Sequence, residues 1–172
     1  MNWQATINRG LLRQECIVCD AAVATTAQAF QLAAATLSEA HGVDALQLVR
    51  RLCAREGRRS TVVGDGIATP HADAWGLTRP QAAFVRSTAP IDFLGTIDGV
   101  AVHEVLVLVA PRPATGVHSA MLQHYRALLR SPGFRDRLRA AREPLLLWRL
   151  FREHEWSSEP ASSRDTLQAI CG

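Results

Sequence analysis

A chain of 172 residues with 48% apolar and 20% charged residues has the material for one soluble domain with its own core. The net charge is only +3, all 19 cations are arginine, and no aromatic residues interleave the basic runs, so nucleic acid is not an expected partner. No apolar run approaches the roughly 18 to 20 residues that cross a bilayer, and Met1 to Gly10 lacks a signal-peptide core, so neither membrane insertion nor export is expected.

Residues 1–13 have weak periodicity and read as a lead-in. Cys16-Ile17-Val18-Cys19 is a short apolar run between Glu15 and Asp20 and reads as a strand. Thr25 and Thr26 are caps for an Ala-rich helix carrying Phe30, Ala33, Ala34 and Leu37, which Gly42 stops. Asp44 caps a second helix with Leu46, Val49 and Cys53 on its apolar face and Arg50, Arg51 and Arg55 opposite. Thr61-Val62-Val63 and Ile67-Ala68 are short strand candidates around Gly64-Asp65-Gly66. Gln81 to Thr88 alternates as a strand, and Ala89 to Phe93 turns into an extended piece. Val102 to Ala110 contains the continuous run Val105-Leu106-Val107-Leu108-Val109, which predicts an inner strand covered on both faces.

After the loop Pro111 to Gly116, His118 opens a helix reaching about Arg130, with Met121, Leu122, Tyr125, Leu128 and Leu129 buried. Ser131-Pro132-Gly133 ends it. A basic helix over Phe134 to Ala141 and a last helix from Leu145 to Arg152 follow. Residues 157–172 turn to Ser, Glu, Pro and Asp and read as a tail. Strands alternating with helices, without repeat or linker, predict a single α/β domain.

The stretch that carries chemistry runs from Arg55 to Asp73. Pro70 fixes the backbone immediately before His71, and Gly64 and Gly66 admit geometries that a Cβ forbids. A histidine held this way on a rigid loop beside arginines suits an anion. Arg55-Glu56, Ser60-Thr61 and Gly64-Asp65-Gly66-Ile67-Ala68-Thr69-Pro70-His71 together resemble the IIA component of the bacterial phosphoenolpyruvate-dependent phosphotransferase system (PTS EIIA), type 2, the fructose/mannitol and nitrogen-regulatory class. Ala89 to Phe93, Val109-Ala110-Pro111, His118 and Arg137 to Ala141 follow in the family's order. The chain departs from the family's pattern at Thr69, Ser119 and Ala72-Asp73.

The resemblance implies a type-2 EIIA domain over residues 14–156, a mixed sheet of about five strands flanked by helices on both faces, and a phosphotransferase role without a cofactor. It implies that His71 accepts phosphate from a histidine-phosphorylated HPr-like phosphocarrier protein. His118 and Arg55 would steady the phosphate, with Thr61, Gly66 and Pro70 in support. Two destinations for the phosphate stand open: regulation of target proteins by phosphorylation state, and delivery to a IIB domain cysteine for sugar uptake. A binding module that has lost transfer is a third reading.

The residues support the same chemistry independently. Transfer between imidazoles needs an unprotonated ring nitrogen in line with phosphorus and donors around three equatorial oxygens. Histidine is neutral often enough near pH 7 to serve; Arg55 offers a planar fork and His118 a donor at a helix N-terminus. Each has a plainer reading: a turn histidine, a capping histidine, a solvated helix-end arginine, and Thr61 as a strand residue. No metal is expected, because His71-x-Asp73 with His118 or His124 matches no zinc spacing and nothing resembles a Mg²⁺ cage. Cys16 and Cys19 alternate across a strand, so a redox pair is not expected either, and Cys16, Cys19, Cys53 and Cys171 read as reduced thiols of a cytoplasmic protein. No nucleotide-, serine-hydrolase- or zincin-type motif occurs.

Overall fold

The computed structural model describes residues 10–113 and 116–155. In chain order the elements are strand β1 (Leu12–Ala21), helices α1 (Thr26–His41) and α2 (Ala45–Glu56), and the short strands β2 (Val62–Gly64), β3 (Ile67–Ala68) and β4 (His71–Ala74). Long strands β5 (Gln81–Ile91) and β6 (Val102–Pro111) follow, then helices α3 (Gly116–Arg130), α4 (Pro132–Ala140) and α5 (Pro144–Glu153). The expected lead-in at residues 1–9, the tail at 157–172 and Cys171 lie outside the described residues.

The strands form one six-stranded mixed sheet in the order β1-β5-β6-β3-β2, with β4 also on β6. Strand β6 is its axis. One edge pairs antiparallel with β5; the other takes β3 at Glu104 and Val105 and then β4 at Leu108 to Pro111, both parallel. Val105 to Val109 are all fully buried, which requires cover on both faces, as the unbroken apolar run predicts. Phe84 of β5 meets Phe151 of α5 at 5.6 Å, and Phe134 of α4 extends that stack. Phe30 of α1 meets Phe93 at 6.0 Å beyond the end of β5.

Local signals explain the ends of several elements. Thr25 closes a capping box with Gln28 at the start of α1, and Gly42 ends that helix in the left-handed region at φ 71. Asp44 caps α2 through the Gln47 amide. Asp65 and Gly66 both have positive φ between paired Gly64 and Ile67, the two-residue turn that suits an Asp-Gly hairpin.

The structure corrects four expectations. Strand β1 runs ten residues, beyond Cys16 to Cys19, because its parallel partner β5 holds it from Leu12 to Ala21. The buried face of α2 is Leu48, Leu52 and Glu56; Leu46 and Cys53 are exposed. A charged Glu56 sits on that face because it finds hydrogen-bond partners there. Strand β5 continues through Pro90 to Ile91, where a turn was expected. Finally, His71 lies on no loop: it is the first residue of β4, paired with Leu108 of β6.

Candidate functional site

A chain of hydrogen bonds begins at Glu56 and ends at the imidazole of His71. The buried Glu56 carboxylate accepts from the Thr61 amide at 2.9 Å and from its hydroxyl at 2.6 Å. Charge-assisted bonds of this kind are the stronger class, so they pin the turn after α2 to the start of β2. The Thr61 carbonyl then accepts from the Thr69 amide at 3.0 Å. The Pro70 carbonyl accepts from Leu108 N–H at 2.9 Å, which docks this segment on β6. Last, the Thr69 carbonyl lies 3.1 Å from Nδ1 of His71. This relay is the physical content of Arg-Glu, Ser-Thr and Thr-Pro-His at their spacing.

The relay also fixes the tautomer. A carbonyl only accepts, so Nδ1 of His71 carries the proton and Nε2 keeps its lone pair. That lone pair accepts from Arg55 Nε–H at 3.1 Å. His71 is 9% exposed, just enough to reach the cleft that its ring lines. Burial chiefly holds its pKa down at about 4, with the Arg55, Arg126 and His118 charges adding to the effect. At neutral pH the ring is therefore uncharged, with its free lone pair on Nε2.

His118, in the first turn of α3, faces His71 with ring centroids 5.8 Å apart and planes inclined by 52°. Burial lowers its pKa, while the Asp73 carboxylate pulls the other way. Its Nδ1 is buried and has no hydrogen-bond partner among the described residues. The two rings and Arg55 share one cleft of about 370 Å³ with Arg51, Ala54, Arg58, Ala72 and Asp73. Arg55 also donates to the Arg59 carbonyl at 2.9 Å, which orients the guanidinium along the cleft wall.

Three further residues bear on this cleft and were not singled out from the sequence. Arg51 pairs with Asp73 at 2.9 Å, and Arg112 stands 3.9 Å from the same carboxylate. Arg126 of α3 is half-buried beside Arg55, Arg59 and Arg130, and its pKa is lowered by burial and by those like charges. Helical spacing could have found Arg51, one turn before Arg55 on the same face. Arg126 lies two turns along α3 from His118, and nothing in the sequence marked it as turned towards the site.

Of the residues expected at the site, His71, His118 and Arg55 converge, and Thr61 and Pro70 stand behind them as described. Gly66 does not join them. It lines a separate cleft with Asp65, Arg86, His103, Glu104, Arg139 and Arg142, also of about 370 Å³. There its φ of +79 and the Ala101 carbonyl, 3.0 Å from where a Cβ would sit, account for the glycine. Its task is the hairpin turn. No cluster of three or more metal-ligating side chains occurs among the described residues, and no helix among them is long and apolar enough to cross a membrane.

Known proteins resemble this chain over most of its described length. A family profile described as "Phosphoenolpyruvate-dependent sugar phosphotransferase system, EIIA 2" matches residues 10–154. A nitrogen regulatory protein of Pseudomonas aeruginosa is 38% identical over 111 residues, covering 64% of this chain and 71% of that protein. One from Bradyrhizobium diazoefficiens is 34% identical over 133 residues, covering 77% and 86%. Among solved structures, the nitrogen regulatory protein IIA-Ntr of Neisseria meningitidis superposes with a TM-score of 0.74 at 26% identity, over 81% of this chain and 95% of that one.

Proposed function

Because the chain belongs to the EIIA 2 family of the phosphoenolpyruvate-dependent sugar phosphotransferase system, we propose that it is a phosphohistidine carrier with His71 as the residue that takes and gives the phosphate. One observation carries this reading. The Nδ1 proton of His71 is committed to the Thr69 carbonyl, which leaves Nε2 bare except for a single Arg55 N–H. The donor is a histidine-phosphorylated protein of the HPr kind.

In the transfer, the Nε2 lone pair attacks phosphorus while the N–P bond of the donor breaks, and the donor imidazole keeps the departing electron pair. Arg55 gives up its bond to Nε2 and turns its fork to the equatorial oxygens, where charge accumulates. The 5.8 Å between the two rings supports His118 as the second imidazole at the phosphate. The positive field comes from Arg55, Arg126 and the neighbouring arginines.

Downstream, the reading follows the nitrogen regulatory relatives: the phosphorylation state of His71 governs binding to regulated partner proteins. A second reading, delivery to a IIB cysteine for sugar uptake, is favoured by Asp73, a carboxylate close enough to disfavour a lasting phosphate. Labelled phosphoenolpyruvate, enzyme I and an HPr-like carrier test both. Label is expected on the wild type and absent from His71→Ala; a wild type that stays unlabelled would overturn the carrier reading. Adding IIB domains then decides the destination, because label that moves off His71 onto a cysteine identifies sugar transport.

A further inference from the structure

Helix α2 and strand β4 lie side by side with matched repeats. Residues one turn apart on a helix are separated by about 6 Å along its axis, and alternate residues of a strand by about 6.6 Å. Two rungs result: Arg55 on His71 at 3.1 Å and Arg51 on Asp73 at 2.9 Å. Both rungs line the same cleft, and the side chains of Arg51 and Asp73 are 32% and 27% exposed. A carboxylate thus sits one rung from the nucleophilic nitrogen, holding an arginine that could otherwise reach a phosphate there. Asp73 also has a second cation in reserve. Arg112 stands 3.9 Å from its other oxygen, with its guanidinium over the exposed Trp75 at 5.2 Å.

We infer that Asp73 is a built-in competitor for the phosphoryl group: it holds Arg51 while His71 is bare and cedes it when His71 carries phosphate, so that Arg51 becomes a second arginine ligand of the phosphate. The inference rests on the phosphocarrier reading of His71. A phosphoryl group bears up to two negative charges and three acceptor oxygens, so it outbids a carboxylate for a guanidinium. The abandoned carboxylate keeps Arg112, which explains why one acid is served by two arginines. The exchange lowers the affinity of the site for phosphate below what Arg51 and Arg55 together would provide. It therefore favours handing the group on.

Titration with inorganic phosphate, followed by the imidazole ¹⁵N and ¹H shifts of His71 and His118, tests this without any partner protein. Asp73→Asn is expected to tighten phosphate binding about threefold to tenfold, the size of one nearby charge acting through a partly hydrated cleft. Arg51→Gln is expected to weaken it by a similar factor, and the Asp73→Asn gain is expected to vanish in the Arg51→Gln/Asp73→Asn double variant. Three results would overturn the inference: an Arg51→Gln variant with unchanged affinity, an Asp73→Asn variant that binds more weakly, or a gain that survives without Arg51. The thermal midpoint of each variant confirms that it is folded, and Arg51→Gln decides the matter alone if Asp73→Asn is not. If the wild type takes no label from its protein donor yet the titration follows the expected pattern, the carrier reading falls and the exchange at the site stands.

Discussion

Two clefts of equal volume lie towards opposite ends of β6, and both are lined by arginine. In the one near its start, Arg86 donates to Glu104 at 2.8 Å, to the Ala141 carbonyl at 2.5 Å and to the Leu138 carbonyl at 2.7 Å. Every nitrogen of that guanidinium is engaged by an acid or by the carbonyls at the end of α4. In the other, Arg51 and Arg55 each hold one partner across the cleft, and those partners are a half-exposed carboxylate and a neutral ring nitrogen. The first arrangement is a strut. The second can be rearranged at little cost, because water and neighbouring cations replace what is lost. On the proposed reading, chemistry resides where the donors can be reassigned, and size or charge alone does not distinguish the two clefts.

Substitutions can break this contrast at either end. Arg86→Leu leaves Glu104 buried without a counter-charge and strips two carbonyls, so it is expected to cost about 3–5 kcal/mol in urea unfolding. Next comes acidification. His71 and His41 have pKa values lowered to about 4 from 6.5, chiefly by burial. The unfolded chain therefore binds protons that the folded chain refuses, and stability is expected to fall as pH drops from about 6.5 towards 4. The His71 ¹⁵N shifts should stay those of a neutral ring down to about pH 5, and labelling from a protein donor should hold level over the same range. Glu56→Ala orphans the Thr61 amide and hydroxyl and is expected to cost about 1–3 kcal/mol. It should also slow labelling of His71, because the relay to Thr69 loosens. Smallest is Arg51→Gln, expected to change stability by under about 1 kcal/mol, as for other half-exposed pairs. A loss at Arg51 as large as that at Arg86 would erase the distinction between strut and exchangeable pair.

How much of this was legible beforehand differs by element. Helix α1 and strand β6 announce themselves, one by Thr25 and Gly42 at its ends and the other by five consecutive apolar residues that only an inner strand tolerates. The convergence of His71, His118 and Arg55 was foreseen through the family's motif spacing, since three residues up to 63 positions apart carry no local sign of contact. Strand β4 was invisible. His71-Ala72-Asp73-Ala74 has no β-branched or large apolar residue, and the free edge of β6 makes it a strand. The buried face of α2 was misplaced by one position in the turn, because Glu56 belongs to it and a carboxylate does not read as core until its Thr61 partner is known. Gly66 was expected to support the site alongside Thr61 and Pro70, yet its need for positive φ arises from the hairpin.

The grip of the Thr69 carbonyl on one side of the imidazole has a steric corollary. Of the two isomeric phosphoimidazoles, only the one with phosphorus on the outer nitrogen can form without breaking the relay that begins at Glu56, and ³¹P spectra distinguish the two. On the phosphocarrier reading, attack and departure lie on one line through phosphorus, so the plane of the His71 ring would dictate the angle at which a visiting protein presents its own ring or thiolate. Partners are thus sorted by approach as well as by surface, and a single backbone oxygen sets the compass bearing.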